Sequence, residues 1–155
     1  MKLVKSILAL MVMGTICTGA YAADAVKITD LSKGAKVRAI KVGSTRTTDR
    51  FKLLSLSKEL AGLQCVSVTR GNYAAPGKAY SFKVNVPVTV YLMVDGRDKK
   101  FKADGWEKTK LTATWSAGHA FKDTIYKKDF PAGKITIAAN VAKIIPSTAI
   151  IMAKK

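Results

Sequence analysis

The chain of 155 residues carries 27 lysines and arginines against 10 acidic residues, a formal net charge of +17, with 48% hydrophobic residues. That apolar share can build a core, and the length suits one domain. A charge excess of this size argues against cationic partners and favours acidic polysaccharide, lipopolysaccharide, anionic lipid or nucleic acid.

The first residues, "MKLVKSILALMVMGTICTGAYAAD", place Lys2 and Lys5 before an apolar run from Ile7 to Ile16, then small residues and the triplet Ala20-Tyr21-Ala22. This is the pattern of a secretory signal peptide over residues 1–22, cleaved after Ala22. The run is too short to span a bilayer, and Ile16 before Cys17 is too bulky for a lipid-attachment site. Residues 23–155 are then a single domain carrying about +15 by formal count, with a secreted or periplasmic location. Export makes nucleic acid the least natural anionic partner. The mature part keeps only Cys65, so no internal disulfide is available and the hydrophobic core must hold the fold.

The hydrophobic period is two along the chain. "AKVRAIKV" and "LQCVSVTR" are short β-rich runs, and between them "SLSKELAGL" reads as helical for a turn or two. In "SFKVNVPVTVYLMV", Phe82, Val84, Val86, Val88, Val90, Leu92 and Val94 are apolar, while Lys83, Asn85, Thr89 and Tyr91 alternate with them. Pro87 cannot donate to a sheet ladder, so two strands with a corner are expected there. "KLTATWS", "KITIAANVAKI" and "STAIIMAK" add further strands, and Ala75-Pro76-Gly77, Asp95-Gly96, Asp104-Gly105 and Phe130-Pro131-Ala132-Gly133 mark turns. Many short strands with regular turn spacing predict an all-β, antiparallel, jelly-roll-like sandwich.

The segments "TTDRFKLLSLSKELAGLQCVSVTRGNY", "PVTVYLMVDGR", "GWEKTKL" and "IYKKDFPAGKITIAAN" follow one another in a recognisable order. From about Lys36 to Asn140 the chain resembles the β-sandwich accessory modules appended to secreted polysaccharide lyases and related carbohydrate-active enzymes. The resemblance implies a non-catalytic module of the kind assumed to bind carbohydrate.

Several residues in these segments have structural readings. Asp49 beside Arg50, and Asp95 two residues before Arg97, are placed to form charge-assisted hydrogen bonds that pin loops at strand ends. Phe130 is expected to cover an end of the core, Pro131 to preset a turn, and Gly133 to supply a permissive φ. Cys65 reads as a buried structural thiol. His119, the sole histidine, has no G-x-S-x-G partner to serve, and one histidine with one cysteine makes no zinc set. Arg97, Lys99, Lys100 and Lys102 among three acids oppose calcium. No enzyme, metal or cofactor is expected.

The stretch "VYLMVDGRDKKFKADGW" turns from a strand into a lysine-laden loop ending in Trp106. Sugar rings present apolar C–H faces that stack on aromatic rings, and an acidic chain adds contacts from flanking cations. The candidate binding set is Tyr91, Lys99, Lys100, Lys102, Trp106, Lys108 and Lys110, with Trp106 either the platform or a lid on the core. The functional expectation is an exported, non-catalytic module binding polysaccharide or another anionic cell-envelope polymer. A second reading is a structural subunit that self-assembles into a surface layer or fibre through an edge strand in "IIPSTAIIMAKK", although that run is expected first of all as the final strand of the domain's own sheet.

Overall fold

The computed structural model describes residues 25–139 and 144–154, so the expected signal peptide and Cys17 lie outside the described residues. Among the described residues there are ten strands and no helix: β1 Ile28–Thr29, β2 Lys36–Ala39, β3 Leu53–Leu56, β4 Gln64–Ser67, β5 Tyr80–Val84, β6 Val88–Asp95, β7 Glu107–Ser116, β8 Ala120–Phe130, β9 Gly133–Ile137 and β10 Thr148–Ala153. They form two antiparallel sheets, one ordered β1-β5-β9 and the other β2-β4-β10-β6-β8-β7-β3. The expected all-β sandwich is therefore the fold. "SLSKELAGL" is not helical; after β3 it makes consecutive turns, Leu60 N to Ser57 O at 3.0 Å and Ala61 N to Lys58 O at 3.2 Å. Burial of Leu60 beside the strands offsets what a two-turn helix would gain, and so short a helix is weak by itself.

Pro87 divides the long alternating stretch as expected, and the division has a larger consequence. β5 belongs to the small sheet and β6 to the large one, so the corner carries the chain from one layer to the other. Phe82 and Val84 of β5 and Val88, Val90, Leu92 and Val94 of β6 then meet face to face in one core, joined by Ile135, Ile137, Val66, Ala149 and Ile151. Tyr80 ties the layers together: its hydroxyl donates to Ser147 O at 3.0 Å and accepts from Ala149 N at 3.1 Å.

The large sheet buries its other face as well. A second core holds Ile40, Leu53, Leu60, Cys65, Met93, Ala113, Trp115, Ile125, Ile145 and Ile150. It exists because the two edges of this sheet are tied together. After β2, Ile40 N donates to Leu63 O, Gly43 N to Leu53 O, Leu53 N to Ser44 O and Arg46 N to Phe51 O, all at 2.8–2.9 Å. Residues 40–46 thus bridge β2 to β3, and the sheet curls around its second face. The curl explains why the central strands are apolar at both parities, as in Ala149-Ile150-Ile151 and Leu92-Met93-Val94. It also corrects the expected outward placement of Tyr91, which is half-buried against the second core.

The C-terminal run is β10, paired with β4 on one side and β6 on the other. Its backbone groups are engaged on both sides, so this strand is not an edge free to pair with a neighbour.

Candidate functional site

Antiparallel pairing in the β7–β8 hairpin sets Trp115 directly opposite Phe121, and their rings stack with centroids 4.7 Å apart. Phe51, just before β3, tilts against the other side of Trp115 at 5.1 Å. Phe51 has φ of 70°, a left-handed conformation that a bulky side chain adopts at a cost of about 1–3 kcal/mol. It is held there by the Arg46 N–H on its carbonyl at 2.8 Å. The result is a row of three rings at one end of the curled sheet.

Arginines are set around this row. Arg46 is fully buried, and its guanidinium donates through Nε and Nη2 to both Asp123 oxygens at 2.8–3.1 Å, through Nη1 to Pro146 O at 2.6 Å and through Nη2 to Met93 O at 3.1 Å. Trp115 Nε1 adds a bond to Asp123 Oδ1 at 3.2 Å. Burial pushes the Asp123 carboxyl upward, and the Arg46 charge and hydrogen bonds oppose that shift.

Arg97 stands at the other side of the row, 3.9 Å above the Phe121 centroid. It is clamped by Asp95 through Nη2 to Oδ2 at 2.6 Å and Nε to Oδ1 at 3.0 Å, while its backbone N–H donates to Asp95 Oδ1 at 3.0 Å. The expected Asp95–Arg97 pin is therefore present. Burial works to raise the Asp95 carboxyl, and the Arg97 hydrogen bonds and charge outweigh it, so Asp95 titrates below the ordinary carboxylate range. Asp95 takes the Nε–Nη2 edge of Arg97, which leaves Nη1 and the second Nη2 hydrogen as a planar fork, on a side chain 44% exposed.

The expected Asp49–Arg50 contact is replaced. Asp49 accepts from the Arg70 backbone N–H at 3.3 Å and lies 3.5 Å from Arg70 Nε as an ion pair, because residues 45–52 fold back as a hairpin whose tip meets the chain leaving β4, with Thr45 bridging Lys52 and Thr48 N donating to Val68 O at 3.2 Å. Arg50 instead lies 5.9 Å from the Phe51 centroid, as does Arg70.

A cleft of about 510 Å³ opens above the aromatic row, with Phe51, Trp115, Phe121, Arg70, Arg97 and Tyr73 among its walls. Tyr73 is 97% exposed. It is carried by a tight loop in which Asn72 Oδ1 accepts from Ala74 N at 2.9 Å and Ala75 N at 2.8 Å, while Asn72 N donates to Ala75 O at 2.8 Å. Gly71 N anchors the loop to Ile144 O at 2.8 Å. A Cβ on Gly71 would lie 2.4–2.5 Å from backbone atoms of Ala75, Pro76 and Gly77, so only glycine fits. The exposed ring is thus presented on a braced turn.

The set expected from the sequence does not converge. The segment after β6 runs back along β8: Asp95 pairs with Asp123, the Phe101 ring lies 4.9 Å from Tyr126, and Trp106 lies 5.8 Å from Phe130. Asp123 and Phe130 are seven residues apart on one strand, about 23 Å. Lys99, Lys100 and Lys102 are exposed along this path, and Lys108 and Lys110 are exposed on β7. Trp106 is half-buried against the first core and packs on Phe130, the last residue of β8. Tyr91 lines a separate hollow with Lys127, Lys128, Glu107 and Asp129, where charges of both signs mix. Phe130 packs on the first core, Pro131 is exposed in the turn, and Gly133 has φ of 132°.

Phe51, Arg70, Tyr73 and Phe121 escaped the sequence reading. One signal was available: in a lysine-rich chain there are only five arginines, Arg38, Arg46, Arg50, Arg70 and Arg97. Arginine where lysine would serve for charge marks a need for the planar fork or for stacking. Four of the five lie within 6 Å of Phe51, Trp115 or Phe121 ring centroids.

No family model matches the chain, and no curated protein matches its sequence. Solved structures do share its fold. The chain is similar to part of a β-glucuronidase from glycoside hydrolase family 2, with a TM-score of 0.64 and 16% identity over 82% of this chain and 15% of that one. It is also similar to part of a family GH138 enzyme targeting pectin rhamnogalacturonan II, with a TM-score of 0.53 and 17% identity over 84% of this chain and 17% of that one. The fold is one that carbohydrate-active enzymes contain. The chain spans under a fifth of either enzyme.

Proposed function

We propose that this protein is an exported, non-catalytic module that binds an acidic carbohydrate polymer at the arginine–aromatic cleft. The observation that carries the reading is the pairing of an exposed tyrosine with a pinned arginine fork in one cleft. A sugar ring needs an aromatic face for its C–H surface, and an acid group needs two convergent N–H donors. Arg97 is already immobilised by Asp95, so less side-chain entropy is lost when a ligand arrives. The nearby carboxylates support a binding role: Asp95 and Asp123 are both engaged by arginine and not presented as an acid–base pair. The occurrence of the fold within enzymes that act on glucuronides and pectin agrees with carbohydrate as the ligand class.

The test is calorimetric titration with an acidic polysaccharide and with its neutral, methyl-esterified counterpart, each at low and physiological salt. Binding to the acidic form alone, weakening as salt rises, is the expected result. Equal affinity for the neutral form would remove the role of the arginines. Release of new reducing or unsaturated ends during incubation would show catalysis.

A further inference from the structure

The cleft does not end at the aromatic row. It shares Arg70, Asn72 and Pro76 with a second hollow of about 320 Å³ that Lys33 and Lys78 flank. It also shares Phe51 and Ala117 with a third, of about 510 Å³, flanked by Arg50 and Lys52. The three hollows therefore adjoin in succession with the aromatic cleft in the middle, and among the described residues no aspartate or glutamate lines any of them. The outermost residues, Lys33 and Lys78 at one end and Lys52 and Gly118 at the other, are exposed, so neither end is walled off.

We infer that these hollows form a groove for an internal stretch of a linear carboxylated polysaccharide, with acid groups met in succession along it. The inference rests on the acidic-carbohydrate reading and adds the form of the ligand. A receptor for a single sugar or a chain terminus needs a closed pocket that buries most of the ligand, and this groove is open at both ends. The central station supplies specificity: Tyr73 faces the sugar, and the Nη1–Nη2 edge of Arg97, coplanar and double-donor, matches a carboxylate. The outer stations supply point charges from Lys33, Lys78 and Lys52, together with Arg50. Each acts on the same chain, so successive contacts are made at high effective concentration, and affinity rises with chain length.

The experiment is a titration with uronic-acid oligomers of one to eight units. Affinity should climb at least tenfold between one unit and about five, then level off. Replacing Lys33 and Lys78 together, or Arg50 and Lys52 together, by alanine should abolish most of that climb. The control Lys83→Ala with Lys134→Ala removes the same charge from the exposed side of the small sheet, and it should change affinity less than twofold. Melting temperatures of all variants separate misfolding from lost contacts. Affinity independent of length, or loss of the climb in the control variant, overturns the groove while leaving acidic-sugar binding in place. Tighter binding of a sulfated oligomer than of the uronic-acid oligomer of equal length overturns the carboxylate assignment. Failure of every acidic oligomer to bind better than its methyl ester overturns the parent reading together with the groove.

Discussion

Trp106 and Tyr73 carry opposite expectations, although both follow turn residues and both sit in basic surroundings. Trp106 is half-buried on the first core against Phe130, and Trp106→Ala should cost on the order of 2 kcal/mol, below the 3–5 of a fully buried tryptophan. Its melting temperature should fall by several degrees with affinity for acidic glycans nearly unchanged. Tyr73 covers nothing, so Tyr73→Ala should leave the melting temperature within a degree or so and weaken binding about tenfold. A reversed pattern would return the site to the Trp106 loop. Asp95 gives a pH expectation. Its folded carboxyl lies below the ordinary value because the Arg97 contacts outweigh burial, so below about pH 4 the unfolded chain takes up the proton first. The pair's contribution is fully present above that pH and is lost as pH falls through the folded value. Acid titration of stability should therefore show a steeper loss for the native protein than for Asp95→Asn, and identical acid limbs would refute it.

The loop between β4 and β5 shows what an element can do without regular structure. Gly71 is packed so closely on Ala75, Pro76 and Gly77 that a methyl group has no room, and the turn that presents Tyr73 depends on that approach. Gly71→Ala should release the loop, weakening glycan binding to the level of Tyr73→Ala while the strands melt nearly as before; amide exchange would show protection lost within the loop only, at position 71, Asn72, Ala74 and Ala75. Global loss of protection would mean that the loop is part of the cooperative core instead. The segment from Gly96 to Trp106 has a different task, since Phe101 and Trp106 pack on Tyr126 and Phe130 of β8 at the margin of the first core. Its lysines were read from the sequence as one cluster, yet a chain running along a strand spreads its side chains over the strand's whole length.

Across the molecule, the buried Arg46–Asp123 pair joins the stretch before β3 to β8 and, through Pro146 and Met93 carbonyls, to the chain entering β10 and to β6. Arg46→Met should cost about 3–5 kcal/mol, because Asp123 is left buried without its countercharge. Combining it with Asp123→Leu should recover much of the loss, and a double-mutant cycle measures the coupling. A cycle with no coupling would place the effect of Arg46 in packing alone. The same pair backs the aromatic row, so the single variant should also weaken ligand binding.

The sequence by itself determined the class of fold and most of its strands. Side-chain direction in a strand follows from the backbone geometry of adjacent residues, so the alternation from Phe82 to Val94 and the corner at Pro87 are legible locally, as are the turns at Asp95-Gly96 and Gly133. It also showed a basic surface, because charge is a sum over residues and needs no coordinates. It did not show that the large sheet has a second core, and for that reason Tyr91, on the face the alternation gave it, was expected to be open where it is half-buried. The site itself was decided by tertiary structure alone. Trp115 and Phe121 face each other across the β7–β8 hairpin, while Phe51, Tyr73 and Arg97 come from other segments that backbone hydrogen bonds bring to it: the β3–β7 and β6–β8 ladders, the ties from residues 40–46 to β3, and the Gly71–Ile144 bond. Such bonds link backbone groups that are the same in every residue, so the side chains do not announce which edges will close, or which rings and arginines the closure will bring into one cleft.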